Sequence, residues 1–393
     1  MIKSIREIFN KNHTESDYRN LQTHFENILK RPIPFRIAET PVFVSKDFKD
    51  QMLEATEAII DFILDPIHHE ITHRFVPNNF QSVINQEHPA LLVIDYAVIY
   101  GEDGRLEPSL IELQGFPSLY GFQVELDRYW KSKNNMCKNL TSYLNGYDET
   151  KYLQDLKDII LGDKDPINVI LLDLFPTKQK TQLDFICLKS QLGIETVCLT
   201  QIFSEGNQLF YFNNGDKIRI HRIFNRLVPD ELNQHPELKH IDLRLPYDVI
   251  WINHPRHFFQ ISKCLLPLLQ HRFIPECHYL NDFDFCQPLE QWVLKPLFSF
   301  AGSGVCMDVN LEKLKAIQDP ENWIMQRKVN YAPIIETPDG PAKTEIRLFL
   351  LWKSGWSRPI AAHNLARISK GAMIGTQFNL NRNWVGGTIA FFE

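Results

Sequence analysis

Three sets of residues in this chain have the types and spacing that chemistry needs. The first is the stretch WVLKPLFSFAGSGV at 292–305, which changes character halfway. Trp292, Val293 and Leu294 read as a buried strand, and Pro296, with no N–H to donate, stops the ladder just after Lys295. Ser299, Ala301, Gly302, Ser303 and Gly304 follow. Small residues let successive backbone N–H groups turn toward one anion, and a lysine ammonium beside such a loop suits a polyphosphate. Taken alone, the stretch also fits a hairpin turn with an exposed lysine.

The second set is Asp95, Glu112 and Gln114. Residues 91–100 read as a strand, 101–104 as a turn and 109–113 as the antiparallel return. Residues two apart on a strand point the same way, so Asp95 on one strand faces Glu112 and Gln114 on the next. Magnesium accepts such oxygen ligands, usually together with nucleotide phosphates; solvated acids on a hairpin are the alternative. The third set is HEITH, with His69, Glu70 and His73 in the pattern HExxH. On a helix this puts two imidazoles on one face, where they bind zinc with the glutamate as general base. Pro66 and Pro77 leave little helix to hold it, and Val76 stands where one large class of such enzymes has glycine. Solvated histidines near a helix end are the plainer reading.

The elements that must position these groups follow from periodicity. Phe48, Met52, Ala55, Ile59, Ile60 and Ile63 recur at helical spacing, predicting a core-facing helix over 47–65. An amphipathic helix is predicted over 18–29, with no chemistry in it. From Pro166 the order INVILLDLF, KTQLDFICLKSQLG, IETVCLT reads strand, helix, strand, a parallel βαβ unit. LFYFNNGDKIRIHRIF reads as two strands about a turn at 213–216, YDVIWINHP as another strand, and HFFQISKCLLPLLQ as a helix carrying Lys263. A helix at 311–318 follows the glycine loop. NWIMQRKV then reads as a strand around Gln326, TEIRLFLLW as one with Glu345 and Arg347 on one face, and PIAAHNLARIS as one carrying Arg367.

Composition sets the bounds. A length of 393 residues predicts two or three packed units, and 44% hydrophobic residues supply ample core. A formal charge of -6 with no basic block argues against nucleic acid as a partner. No apolar run reaches membrane-spanning length and the N-terminus has no signal-peptide core, so neither membrane nor export is expected. Seven cysteines with no CxxC pair fit a reducing compartment, and cytoplasm is the default.

In sequence order, then, come a lysine-proline strand end with a small-residue loop, a strand with a polar residue near its end, Glu345 and Arg347, Arg367, and an Asn-rich segment closing in Gly386 and Gly387. Over about a hundred residues this order resembles the ATP-grasp superfamily, glutathione synthetase and glutathionylspermidine synthetase-like ligases in particular. In that superfamily a helix and a strand pair bearing Asp and Glu-x-Asn would come next. Here the matching helix, Asp95, Glu112 and Gln114 stand at the front. The resemblance therefore implies an α/β (α+β) ATP-grasp fold, circularly permuted, with a small parallel α/β pre-grasp domain. It divides the chain into an N-terminal helical extension (1–45), the permuted part of the core with the metal-ligand hairpin (46–150), the pre-grasp domain (151–250), and the ATP-binding lid with the rest of the core (251–393).

The resemblance also implies ATP and Mg2+ as cofactors and small-molecule carboxylate and amine substrates, joined through an acylphosphate with release of ADP. Lys263 and Lys295 would contact phosphates under the 298–304 loop, and the backbone at Gln326, Arg327 and Lys328 would meet adenine. Glu345 would share that site, Arg347 and Arg367 would face the transferring phosphate, and Asp95, Glu112 and Gln114 would hold magnesium. Asn379, Asn381 and Asn383 all fall near one family position, with Asn383 preferred. Gln114 stands where the pattern has Asn, and the 66–89 insertion with its HEITH has no counterpart there. A catalytically weak ATP-binding or scaffold protein of the same fold is the alternative, and a zinc hydrolase the third. The oligomeric state is not legible.

Overall fold

The computed structural model describes residues 1–81, 88–116, 118–235, 238, 241–299 and 302–393. At its centre is a five-stranded antiparallel sheet in the order Gly386–Thr388, Ile360–Ser369, Lys343–Leu351, Leu91–Tyr100, Leu106–Gln114. Two strands from the front of the chain thus join three from its last fifty-one residues in one sheet. The three central strands are long, β-rich and nearly all buried, which suits a sheet covered on both faces. On one face Leu92, Ile94, Tyr96, Ile346, Leu348 and Ala366 pack under the helix Lys46–Leu64, whose Phe48, Met52, Ala55, Ile59 and Ile63 form the opposing stripe. On the other face Leu91, Val93, Phe349 and Leu351 enter a second core with Tyr120 and Tyr152. Farther along this second face the residues become charged.

The return strand carries a bulge. Asp95 pairs with Glu112 and Tyr96 with Leu110, so Ile111 is the extra residue. Because this strand is the sheet's edge, its outward peptide groups need other partners. They find them in the segment 261–327: Leu110 N donates to Phe273 O, Gly115 N to Ile261 O, and Leu110 O accepts from the Gln326 side chain.

That segment holds a small antiparallel sheet, Cys277–Tyr279, Trp323–Arg327, Trp292–Pro296. Its outer face makes a miniature core of Trp292, Leu294, Met325, Leu280 and Phe283. The register puts Cys277, Val293, Lys295, Ile324 and Gln326 together on the inner face, toward the edge of the large sheet. Pro296 is the last paired residue of its strand. The region 257–268 is not the single helix that periodicity suggests. A four-residue turn of helix His257–Gln260 ends at Ile261, Ser262 is extended, and a 3-10 turn Lys263–Leu268 begins with the Ser262 hydroxyl accepting from Cys264 N. Pro267 lies inside that turn, where its ring and missing N–H disfavour α-helix.

The βαβ unit is present as Val169–Asp173, Gln182–Leu192 and Glu195–Cys198, inside a four-stranded parallel sheet ordered Ile250–Ile252, Arg222–Asn225, Val169–Asp173, Glu195–Cys198. The run DKIRIHRIF is two strands, where the sequence suggests one. Asp216–Ile220 pairs back on Gln208–Asn213, while Arg222–Asn225 crosses into the parallel sheet, because Ile223 and Phe224 each enter a buried core. The helix after the glycine loop runs Leu311–Lys315, shorter than expected.

Residues 390–393 lie against the start of the long front helix. Ala390–Phe392 pairs in parallel with Val42–Val44, Glu393 N donates to Val44 O at 3.2 Å, and Lys46 N donates to the Glu393 carboxylate at 3.2 Å.

Candidate functional site

Cross-strand register alone sets the charged row. Arg347 pairs with Asp95, Asp95 with Glu112, and Glu345 with Arg367, so all five side chains share one face and neighbouring rows. Arg347 Nε and Nη2 donate to Asp95 Oδ1 and Oδ2, each at 2.6 Å. Arg367 Nη2 donates to Asp95 Oδ2 at 2.7 Å and also to Glu345. The Tyr331 hydroxyl donates to the other Glu345 oxygen at 2.6 Å, and Arg347 Nη2 lies 3.7 Å from Glu112. Asp95 is 1% exposed and Glu345 3%.

Two carboxylates in one row are driven opposite ways. Burial pushes the Asp95 carboxyl up, but Arg347 and Arg367 outweigh it and hold the group below its ordinary value. For Glu345 burial prevails, with Arg367 opposing and Asp95 adding, so its pKa rises. Burial also works against the charge on Arg367, yet Glu345 and Asp95 keep it above the usual value.

Two lysines close the row from the small-sheet side. Lys295 Nζ donates to Ile111 O at 3.2 Å, a carbonyl turned outward at the bulge. Burial lowers its pKa, with the attraction of Glu112 opposing. Lys263, 5% exposed, donates to Ser299 O at 3.1 Å and lies 4.0 Å from Glu112. Asp95, Glu112, Arg347, Arg367, Lys263 and Lys295 are therefore linked by steps of a few ångströms, though they come from opposite ends of the sequence. Gln114 joins them by donating to Glu112 Oε1 at 2.7 Å. The hairpin of Asp95 lies directly beside the strand of Arg347, with that of Arg367 one strand further on. A narrow cavity bounded by Gln114, Phe258, Lys263 and Ser299 opens here, with room for about one water.

Several polar atoms around this row are buried with no hydrogen-bond partner among the described residues: Ser299 Oγ, Gln326 Oε1 and Arg367 Nε. Such groups normally find partners, so they mark places where a polar ligand would be stabilised. Gly302 and Gly304 adopt φ of +76° and +72°, the left-handed region that glycine enters freely, and a Cβ on Gly304 would come 3.0 Å from Pro296. Gly302, Ser303 and Gly304 are exposed. Ala301 lies outside the described residues, as does Pro117 after the hairpin.

The remaining expected residues sit elsewhere. Arg327 is on the outer face of the small sheet, over the Trp292 ring at 4.8 Å and bonded to Gln291, away from the row. The backbone N–H groups of Arg327 and Lys328 are already used, donating to Glu276 O and Gln291 O. Asn383 is exposed; its side chain accepts from Arg36 at 3.5 Å. Asn379 instead is buried and ties together the loop after the Arg367 strand, accepting from Ser369 Oγ, Lys370 N and Gly371 N. HEITH lies in an eight-residue helix, Pro66–His73, capped by Asp65, with His73 exposed; the His69 side chain is outside the described residues. Among the described residues no group of three His, Cys, Asp or Glu is placed to hold a metal ion. Sequence reasoning missed Tyr331 and the Ile111 bulge. Neither has a local pattern, since a tyrosine after Asn330 and one extra residue in LIEL look like any loop or strand. Among the described residues no helix is long and apolar enough to cross a membrane.

No family model matches the chain, and no curated protein matches it in sequence. Among solved structures it is similar to a glutathione synthetase-like effector from Globodera pallida, determined in its apo form. The TM-score is 0.58 at 11% identity, over 95% of this chain and 97% of that one. At that identity the likeness establishes a shared mixed α/β fold, and the chemistry must be argued from this chain's own residues.

Proposed function

We propose that this protein is an ATP-dependent carboxylate–amine ligase-like enzyme of the ATP-grasp type, acting on a small molecule or peptide. One observation carries the reading: Lys263, Lys295, Arg347 and Arg367 converge with Glu112 in a cleft between two antiparallel sheets. Such a concentration of cations suits a polyphosphate, and the orphaned Ser299, Gln326 and Arg367 atoms would gain partners from one. The name of the similar effector agrees with this reading of the fold. The contact of residues 390–393 with Val44 and Lys46 supports a circular permutation, since it sets the front helix and hairpin next in space after the strands at 343–392. On the same reading 46–150 and 251–393 form the grasp core and lid, and 151–250 the pre-grasp domain.

The substrate carboxylate would attack the terminal phosphorus of ATP, giving an acylphosphate and ADP. The amine would then attack the acyl carbon, lose its proton to solvent and expel phosphate. Lys263 and Lys295 would hold the phosphates. Arg347 and Arg367 would offset charge on the transferring group, a role of positioning and electrostatics with no covalent nucleophile. To admit a nucleotide the small sheet must lift, releasing Lys295 from Ile111 O and Gln326 from Leu110 O. Of the three magnesium ligands implied by the resemblance, Glu112 and Gln114 have the right donor atoms, and a magnesium ion bound there would neutralise phosphate charge. Asp95 does not fit that role, because both its oxygens are engaged by arginines.

A second reading, nucleotide binding without turnover, is favoured by the same engagement of Asp95 and by Gln114 in place of Asn. Calorimetric titration with ATP, followed by an ADP-release screen over carboxylate and amine pairs, separates the two. Turnover with any pair supports the ligase; binding without turnover supports the second reading; no ATP binding at millimolar concentration defeats both.

A further inference from the structure

We infer that Asp95 is a positioning residue that holds Arg347 and Arg367 side by side as one receptor for an oxyanion, and that it takes no part in holding a divalent cation. The inference rests on geometry and stands whether or not the anion belongs to a nucleotide.

Asp95 offers two oxygens, and three N–H groups from two guanidinium ions occupy them at 2.6 to 2.7 Å. The contact to Arg347 is the bidentate fork that fixes a guanidinium plane. Arg367 shares Oδ2 with it, so the two guanidinium groups are drawn to one atom from adjacent rows of the sheet. Two cations held this close repel unless an anion lies between or before them. Asp95 supplies that anion on the sheet side and Glu345 steadies Arg367 from the next row. The arrangement leaves Arg367 Nε buried with no acceptor among the described residues. A further acceptor there is the missing member of the set, and a phosphate or carboxylate group supplies it. A cation approaching Asp95 would instead have to displace both arginines against their two positive charges.

Asp95→Asn makes the idea testable, because three readings give different signs. If Asp95 acts only through its charge, neutralising it leaves the arginines more positive and tightens anion binding. If it is a metal ligand, Mn2+ affinity falls. If it positions the arginines, the asparagine NH2 faces at least one guanidinium donor whichever way the amide turns, the fork to Arg347 is broken, the pair splays, and anion binding weakens although the charge now favours it. We expect inorganic phosphate affinity, by calorimetry on the full chain in EDTA, to fall at least tenfold. Mn2+ affinity, read from the free-ion EPR signal without nucleotide, should change less than twofold. ADP titrated in parallel shows whether the oxyanion is a nucleotide's or free: tighter ADP binding indicates the former, equal affinity the latter, and the loss must appear in both. The double variant Asp95→Asn with Arg347→Lys should lose less phosphate affinity than the sum of the two single losses, since Asp95 acts in part through that fork and in part through Arg367. Unchanged or tighter phosphate binding, a fall in Mn2+ affinity, or additive effects in the double variant each overturn the inference. Should Asp95→Asn not fold, Arg347→Lys reads the same contact from the other side: it keeps the charge and loses the fork, so phosphate affinity must again fall tenfold, and an unchanged value overturns the inference.

Discussion

Lys295 Nζ donates to the carbonyl of Ile111 at 3.2 Å, joining the end of a small-sheet strand to the bulged edge of a hairpin 184 positions earlier in the chain. Among the described residues that carbonyl is the ammonium's one hydrogen-bond acceptor, which compensates poorly for its loss of water, and burial accordingly lowers its pKa. A phosphate in the cleft would be a stronger partner than that carbonyl.

Replacing Lys295 by alanine should therefore weaken ATP binding at least tenfold, a charge-assisted contact being worth about 1.5 to 3 kcal/mol. The melting temperature should barely change, since one modest hydrogen bond and one poorly solvated charge are lost together. The pH dependence has a definite sign. Because the folded pKa lies below the ordinary 10.5, the unfolded chain binds more protons in that interval. Stability of the parent should rise with pH as it passes through the folded value toward 10.5, while ATP affinity falls as the lysine loses its proton. Denaturant melts and titrations between pH 7 and 10 should show both slopes in the parent and neither Lys295 contribution in the variant. Equal ATP affinity in the two proteins would remove Lys295 from the site.

On sequence Arg347 would face the transferring phosphate, a role in turnover. The buried fork to Asp95 adds a structural cost. Arg347→Leu leaves Asp95 with only Arg367, and breaking a buried pair this way costs about 3 to 5 kcal/mol, less here to the extent that Arg367 compensates. In the parent, Asp95 has a lowered pKa, so its contribution is present above the unfolded value and lost as pH falls through the folded one. In the variant Arg367 alone opposes burial, so less of that contribution remains. The destabilisation should thus be full at neutral pH and shrink as pH falls below the ordinary 3.8 toward the folded value. A loss that stays constant through that range would mean that Arg347 stabilises the fold by packing and not through Asp95.

What could be read from sequence was whatever repeats along one element. The strand at 91–100 and the helix near 46–64 were legible because apolar residues follow one periodicity without interruption. Glu345 and Arg347 were legible as a pair because they alternate on a strand. The partners of those charges were not, because nothing local states that Arg347 meets Asp95, 252 positions away, in preference to Glu112 or Glu345. The bulge at Ile111 was hidden for a related reason: LIEL fits a regular strand, and only the pairing with 95–96 reveals the extra residue. The helix expected through Lys263 failed because apolar spacing in HFFQISKCLLPLLQ outweighed Ser262 and Pro267, the two residues that break it.

Asp173 offers a second pH test, outside the cleft. It ends a parallel strand at 3% exposure, and burial, opposed by the Arg226 charge, pushes its pKa up to about 7. A raised carboxyl binds its proton more tightly in the folded state, so stability falls as pH rises from the ordinary 3.8 to about 7 and the cost is complete above that. Asp173→Asn keeps an oxygen for Leu174 N and has no charge to bury. It should be more stable than the parent at pH 8, by up to roughly 4 kcal/mol, with the advantage gone below pH 4. A constant difference across that range would show that the ionisation of Asp173 is not what burial penalises.

The asparagines near the end of the chain separate a loop organiser from a ligand contact. Asn379 Oδ1 accepts from Ser369 Oγ at 3.0 Å, Lys370 N at 2.9 Å and Gly371 N at 3.1 Å, and its Nδ2 donates to Gly375 O at 3.0 Å. These bonds shape the turn that follows Arg367, and Met373 in that turn lies 3.5 Å from where a Cβ on Gly302 would stand. Asn379→Ala takes the acceptor from Lys370 N, while Gly371 N keeps Ser369 Oγ and the Ser369 hydroxyl keeps Met373 O; a buried N–H left unpaired costs about 1 to 3 kcal/mol, and the three carbonyls that Asn379 Nδ2 serves lose a donor. Water can reach part of the opened loop, so a total loss of about 2 to 4 kcal/mol is expected in denaturant melts. Asn383 is exposed and among the described residues its side chain hydrogen-bonds to Arg36 alone, at 3.5 Å, so Asn383→Ala should stay within about 0.5 kcal/mol of the parent. ATP titration then decides the role assigned to Asn383 on sequence. If it contacts the nucleotide once the small sheet lifts, Asn383→Ala weakens binding severalfold with an unchanged melt. If Asn383→Ala binds ATP like the parent while Asn379→Ala loses both stability and affinity, the polar contribution of this segment is the loop that Asn379 holds against the glycines.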